Sequence, residues 1–200
     1  MPNITVREPG LKDEELFLEA MLRSCIFHHP WIKAPLTQEA FKNYLSRYQQ
    51  TNHKSFLAFN AQEKLVGVFN INEIVRGVLQ SAYLGFYANL DYSGSGSMSA
   101  ALKCVLKKVF EEMGLHRLEA NIQPENHRSI YLVRNNGFRK EGFSPRYLKI
   151  EEQWRDHERW AITSEDFRSD ILLKTAETPS ASLQAAPISK RLSRSVSQAH

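Results

Sequence analysis

The chain has 200 residues, with 26 Lys and Arg against 22 Asp and Glu, and a formal net charge of +4. That length suits one domain with a tail, and a hydrophobic content of 42% is ordinary for a globular protein. No apolar run approaches the ~18 residues of a membrane span, the N-terminus lacks a signal-peptide core, and the basic residues are interleaved with acids, as in "KKVFEEMG".

Membrane association and direct nucleic-acid binding are therefore not expected. Two cysteines, Cys25 and Cys104, stand at no ligand spacing. They imply reduced thiols, a cytoplasmic setting and no metal.

In chain order, a short strand is expected at Ile4 to Arg7. Asp13 then caps a helix with Glu14 and Glu15 in its first turn and Leu16, Phe17, Ala20 and Met21 on its apolar stripe. Two prolines break "FHHPWIKAP", and Thr37 caps a second helix carrying Phe41, Tyr44, Leu45 and Tyr48 on one face. Phe56 to Phe59 and Leu65 to Ile71 read as a hairpin, Arg76-Gly77 as a turn, and Ser81 to Ala88 as the next strand.

"YSGSGSM" follows, and then the clearest helix of the chain. Met98, Ala101, Leu102, Val105, Leu106, Val109, Phe110 and Met113 keep helical spacing up to Gly114. "HRLEANI" is a strand, and Pro124 and Asn126 open a short helix that ends at Gly137. "FRKEGF", "PRYLKI" and "ERWAI" read as closing strands, the last two joined by "EEQWRD". The order is α/β with a strand–helix–strand unit. Residues 1–172 form the domain, and the Ser/Ala-rich basic stretch 173–200 is expected to be a disordered tail.

A loop holding Gly94 and Gly96 between a strand and a strong helix lets the backbone approach a ligand. The first helix amides have no internal partners, and the dipole favours an anion there. The bland alternative is a turn that needs glycine for geometry alone. A dinucleotide fingerprint would need a third glycine at Ser99, and a P-loop needs a different glycine spacing followed by Lys, so both are excluded.

Asp91, Gly94 and Gly96 in the loop, Asn126 at the next helix start, Gly137-Phe138 at its end, and the run Trp154-Arg155-Asp156-His157 together resemble the GNAT superfamily of N-acetyltransferases. "YLGFYANLDYSGSG" and "KEGFSPRYLKIEEQWRDHERWAIT" resemble its ribosomal-protein-alanine (RimJ/RimL-like) branch. The resemblance covers about residues 3–170. It implies a mixed twisted central sheet with splayed parallel strands, flanked by helices. Acetyl-CoA is the implied cosubstrate, and the implied acceptor is a protein N-terminus, such as that of a ribosomal protein.

The resemblance places the cofactor against Phe86, Tyr87, Ser93, Gly94, Ser95, Gly96, Ser97, Met98, Asn121, Asn126, Ser129 and Val133. Many family members carry a tyrosine acid at the position of Val133; the ribosomal-protein branch has a serine at that of Ser129, which becomes the candidate general acid. Glu141 is the first candidate base, ahead of Glu119 and Glu73. The acceptor channel is expected to be lined by His28, His29, Trp31, Arg76, Tyr147 and Trp154. Asp156 and His157, adjacent on a strand, should point to opposite faces. Asp91 departs from the family pattern, which has Arg or Gln there, and its charge is wrong for a pyrophosphate. Two alternatives stay open beside protein N-terminal acetylation: acetylation of a small amine, and a CoA-binding module without turnover.

Overall fold

The computed structural model describes residues 2–168. The expected domain boundary at residue 172 and the tail 173–200 lie outside these. Seven strands form one sheet: β1 (Ile4–Arg7), β2 (Lys54–Asn60), β3 (Leu65–Val75), β4 (Ser81–Ala88), β5 (Arg117–Ile122), β6 (Arg139–Ile150) and β7 (Gln153–Thr163), in the spatial order β1-β2-β3-β4-β5-β7-β6. Helices α1 (Glu14–His28), α2 (Gln38–Tyr48), α3 (Ser97–Lys107), continued by a π turn over Lys108–Glu112, and α4 (His127–Arg134) flank it. All neighbours are antiparallel except β4 and β5.

Alternation along the strands splits the apolar residues between two cores. On one face of the sheet, Phe17, Met21, Phe41 and Leu45 of α1 and α2 pack on Leu57, Val68 and Tyr87. On the other, Leu102, Val105, Leu106 and Val109 of α3 pack on Phe69, Leu84, Leu118 and Trp160. The faultless stripe read from α3 is thus the face that sits on the sheet. Gly114 has φ +64, and Gly137 has φ +89 beyond α4, left-handed positions that glycine takes without strain.

Three expectations need correction. Asp13 does not cap α1 with its side chain. Its buried carboxylate instead receives two hydrogen bonds from Arg7, at 2.6 and 2.8 Å, and one from the Gly10 amide at 2.8 Å. "FRKEGF" and "PRYLKI" form the single strand β6, because two bulges let it bend without leaving β7. "EEQWRD" is mostly strand, since the reversal needs only Glu151 and Glu152, at φ 47 and 63.

Where β3 passes under the start of α3, a Cβ on Gly67 would lie 2.9 Å from the Tyr87 carbonyl and inside the Met98 thioether. Gly67 therefore sets how close α3 can come to the sheet. Gly67→Ala is expected to cost about 1–3 kcal/mol by overpacking. Urea denaturation would measure that loss, and coenzyme A binding should weaken with it because the helix start is displaced.

Candidate active site

The site begins as a defect in pairing. β4 and β5 are paired only over Ser81–Tyr83 and Arg117–Glu119. Beyond that point β4 stays on β3 to Ala88, while β5 stays on β7 to Ile122. The facing edges of residues 84–88 and 120–122 have no strand between them. Their backbone groups line a wedge, and such groups need partners.

Two helix starts stand at its mouth. The loop after β4 leads into α3, and the chain leaving β5 leads into α4. Gly94 and Gly96 have φ +76 and +79, and a Cβ on either would meet nothing within 4 Å. Among the described residues, the amides of Gly94, Gly96, Met98 and Ser99 find no acceptor, whereas Ser97 N donates to Ser95 Oγ at 3.3 Å. Ser95 Oγ in turn donates to the Tyr92 carbonyl at 2.7 Å. These unpaired amides, at the positive end of the α3 dipole, fit a pyrophosphate.

Asp91 is turned to another use. Its carboxylate lies 3.3 Å from the Arg23 guanidinium of α1, a cation that Glu19 also contacts. Its backbone amide is bonded by Asn89, whose side chain also donates to the Leu65 carbonyl at 2.8 Å. The loop is therefore anchored to α1 and β3, and the acid serves the anchor.

At α4, Asn126 Oδ1 accepts the Ser129 amide at 3.2 Å and so caps the helix. The Asn126 amide group and the Ser129 hydroxyl make no other hydrogen bond within the described chain, and both residues are half-buried. Asn121 Oδ1, on the splayed end of β5, is buried without a partner. An orphaned acceptor beside the wedge fits an amide N–H such as the pantetheine arm carries. Val133 is fully buried in the core with Phe138 and packs there. Met98 likewise sends its side chain to Gly67 on β3, so only its backbone faces the mouth. Phe86 packs toward the α3 core, and its ring lies 6.3 Å from that of Phe69.

The expected acceptor residues divide. His28 is buried, its Nε2 donating to the Ala88 carbonyl at 2.7 Å and its ring edge-on to Tyr87. It holds α1 to β4. His29 is exposed, 3.5 Å from Glu151 in the β6–β7 turn, and Trp31 is half-buried beyond it. Arg128 of α4 lies over the Phe27 ring of α1 at 5.1 Å. Trp154 is exposed near the same turn. Arg76 does not belong with them. It donates to the Met113 carbonyl at 2.6 Å, beyond the C-terminal end of α3, ~24 Å of helix from the loop.

Tyr147 is placed by a bulge. Residues 145–147 of β6 stand opposite Asp156 alone, since Ser144 pairs with His157 and Leu148 with Arg155. Arg146 takes φ 49, and its amide donates to Asp156 Oδ1 at 2.7 Å. The Tyr147 ring packs on buried His157, 5.8 Å between centroids, and its hydroxyl interacts with that of Tyr83, the last β4 residue paired with β5. Asp156 and His157 thus point apart, as expected, and together shape the bulge.

Glu141 is the extra residue of the other bulge. Arg117 donates to it twice, Arg139 lies 3.4 Å away, and these arginines hold its carboxyl below the usual carboxylate range. A carboxylate so held is a poor base, and we give Glu141 no proton-transfer role.

Sequence reading missed Gly67, Tyr83 and Asn136. Asn136 Nδ2 donates to Ser99 Oγ at 3.0 Å and to the Leu132 carbonyl at 2.8 Å, tying the start of α3 to the end of α4. The run "RNNGF" marked a helix end, but nothing local marked its second Asn as a tie between helices.

A sheet split between two parallel strands, with unpaired loop amides at a helix start on one side of the mouth and a capped helix on the other, is the framework of an acetyl-CoA-dependent N-acetyltransferase. The family model described as acetyltransferase (GNAT) domain matches residues 3–139, and the chain belongs to that family. It is 32% identical over 161 residues to the probable N-acetyltransferase YjcK of Bacillus subtilis, covering 77% of this chain and 89% of the relative. It is 38% identical over 113 residues to the [ribosomal protein uS5]-alanine N-acetyltransferase of Escherichia coli, covering 56% of this chain and 58% of that protein. Among solved structures, Mycobacterium smegmatis RimJ in complex with CoA-disulfide superposes with a TM-score of 0.76 at 25% identity, over 86% of this chain and 89% of that one. A spermidine N-acetyltransferase from Vibrio cholerae, in complex with CoA and spermine, has a TM-score of 0.71 at 18% identity, over 83% of this chain and 98% of that one, and shares the fold.

Two measurements test the site. Gly96→Val should weaken coenzyme A binding about tenfold or more, as read by calorimetry, because a branched side chain enters the cradle and resists the left-handed backbone. Burial holds both His28 and His157 below the usual value of 6.5. The unfolded chain therefore takes up protons first as the pH falls, and stability present above about 6.5 is lost below it. Urea midpoints should be lower at about pH 5 than at about pH 7.5, and replacing His157 by Gln should flatten that slope.

Proposed function

We propose that the enzyme acetylates the α-amine of a protein N-terminus, a ribosomal protein being the leading candidate, in the cytoplasm. One observation carries the choice of acceptor. Three of the four carboxylates of β5, β6 and β7 have cationic partners: Glu119 with Arg117, Glu141 with Arg117 and Arg139, and Glu158 with Lys140, while Asp156 accepts the Arg146 amide. A polycation needs several uncompensated acids to bind it, and three of these four are held by cations of the same sheet. The similarity to the E. coli alanine N-acetyltransferase points the same way.

Acetyl-CoA supplies the thioester carbonyl. The amides at Gly94, Gly96, Met98 and Ser99 hold the pyrophosphate, and the Asn126 amide and Asn121 Oδ1 hold the pantetheine arm. Backbone groups at Phe86 and Tyr87, on the splayed half of β4, orient and polarise the carbonyl as charge develops on its oxygen. The amine attacks that carbon directly. The C–S bond then breaks, and the Ser129 hydroxyl passes its proton to the departing thiolate and recovers one from the water that took the amine's proton. His29, Trp31 and Trp154 line the peptide entrance.

The acceptor's own chemistry reduces the need for a base. An α-amine with a pKa near 8 is roughly one-fifth neutral at pH 7.4, whereas a lysine amine is neutral to about one part in a thousand. Water can take the proton released after attack.

The test is thiol release from acetyl-CoA with a panel of peptides and small amines, including spermidine. Peptides with a free small N-terminal residue should be turned over, and spermidine should not. Turnover confined to spermidine would overturn the acceptor assignment. Ser129→Ala should lower kcat about 100-fold with coenzyme A affinity unchanged; an unchanged kcat would remove Ser129 from the acid role.

A further inference from the structure

We infer that Gly85 of β4 is the floor of the pocket for the first side chain of the acceptor, and that it limits that side chain to a small one. This inference rests on the acceptor reading above.

A glycine inside a strand loses conformational entropy and buries nothing, so it needs a reason. Gly67, paired with Ala88 at the end of β4, has one: its missing Cβ is the room that Met98 and the Tyr87 carbonyl occupy. Gly85 has none of that kind. Its backbone is not left-handed, and a Cβ there would lie 3.5 Å from Asn72 Nδ2 and 3.9 Å from Asn70 Cβ, ordinary contact distances. The fold would accept alanine at this position.

Its place shows what the space serves. Tyr83, Gly85 and Tyr87 share the face of the sheet opposite α3. Tyr87 is buried beneath α1 and α2, Gly85 is half-exposed and Tyr83 is exposed, so the helical cover stops at Gly85. Gly85 is also the second residue beyond the last β4–β5 pair, beside the backbone edge that faces the wedge.

The surroundings are polar and fixed. Asn70 stands directly across on β3, bonded by Ser55 at 2.8 Å. Asn72 Oδ1 accepts from the Tyr48 hydroxyl at 2.9 Å, which holds its amide group toward Gly85. Tyr147, delivered by the bulge, has its hydroxyl beside that of Tyr83. A peptide end laid here would put its α-amine over the wedge and its first side chain over Gly85, with amide and phenol groups around its first peptide bond. A Cβ on Gly85 would take the volume of that side chain.

The experiment compares the wild-type full chain with Gly85→Ala, using acetyl-CoA and two peptides that differ only in starting with Gly or Ala. The variant should keep its Tm and its coenzyme A affinity. KM for the Ala-starting peptide should rise about tenfold, while kcat and the values for the Gly-starting peptide stay near wild type. Equal KM values for both enzymes on both peptides would overturn the inference and leave the acceptor reading intact. So would a Tm lower by several degrees, which would make Gly85 a requirement of the fold. So would weaker coenzyme A binding, which would place Gly85 on the cofactor side. A wild type that turns over neither peptide would overturn the acceptor reading itself, and the inference with it.

Discussion

β4 and β5 run parallel and pair over three residues before they separate, and everything at the site follows from that. Parting two strands costs the hydrogen bonds they would have made, so the opening persists only if each strand is secured on its outer edge. β3 holds β4 along nearly its whole length, and β7 holds β5 from Arg117 to Ile122. The inner backbone edges can then be turned toward a cosubstrate rather than a neighbouring strand.

The mouth of the wedge is braced by tertiary contacts that no single element contains. Gly67 lets Met98 rest on the sheet, and the Ser99–Asn136 bond ties α3 to α4. Arg23 reaches from α1 to Asp91, and His28 and Ser24 fasten α1 to the end of β4 and the loop after it. With both helix starts held in this way, the amides of the loop and the cap at Asn126 stay aimed at the opening. Donors held in place before binding lose little freedom when a ligand arrives.

Much of this was legible in the chain. The apolar stripe of α3, the Thr37 cap, the β2–β3 hairpin and the two glycines with positive φ follow from local rules of period and backbone freedom. The pattern of Gly94, Gly96, Asn126 and Gly137-Phe138 was enough to bring the cosubstrate into view. Where local rules failed, the cause is also local. Glu151 and Glu152 turn the β6–β7 hairpin at positive φ, a conformation that Asn-Gly would announce and Glu-Glu does not. Two bulges broke the alternation that would have shown β6 as one strand.

The sequence by itself determined the elements, the loop able to hold a phosphate and the helix capped by Asn126, because these depend on neighbours three or four residues apart. Only the tertiary structure decided what the charged and polar side chains do. Asp91 became an anchor through Arg23, Glu141 lost its basicity to Arg117 and Arg139, and Arg76 moved from the acceptor channel to the far end of α3. Val133 went to the core and Tyr147 to the fork. A side chain's charge, basicity and reach depend on what stands within a few ångströms of it, and those neighbours come from strands and helices far apart in the chain.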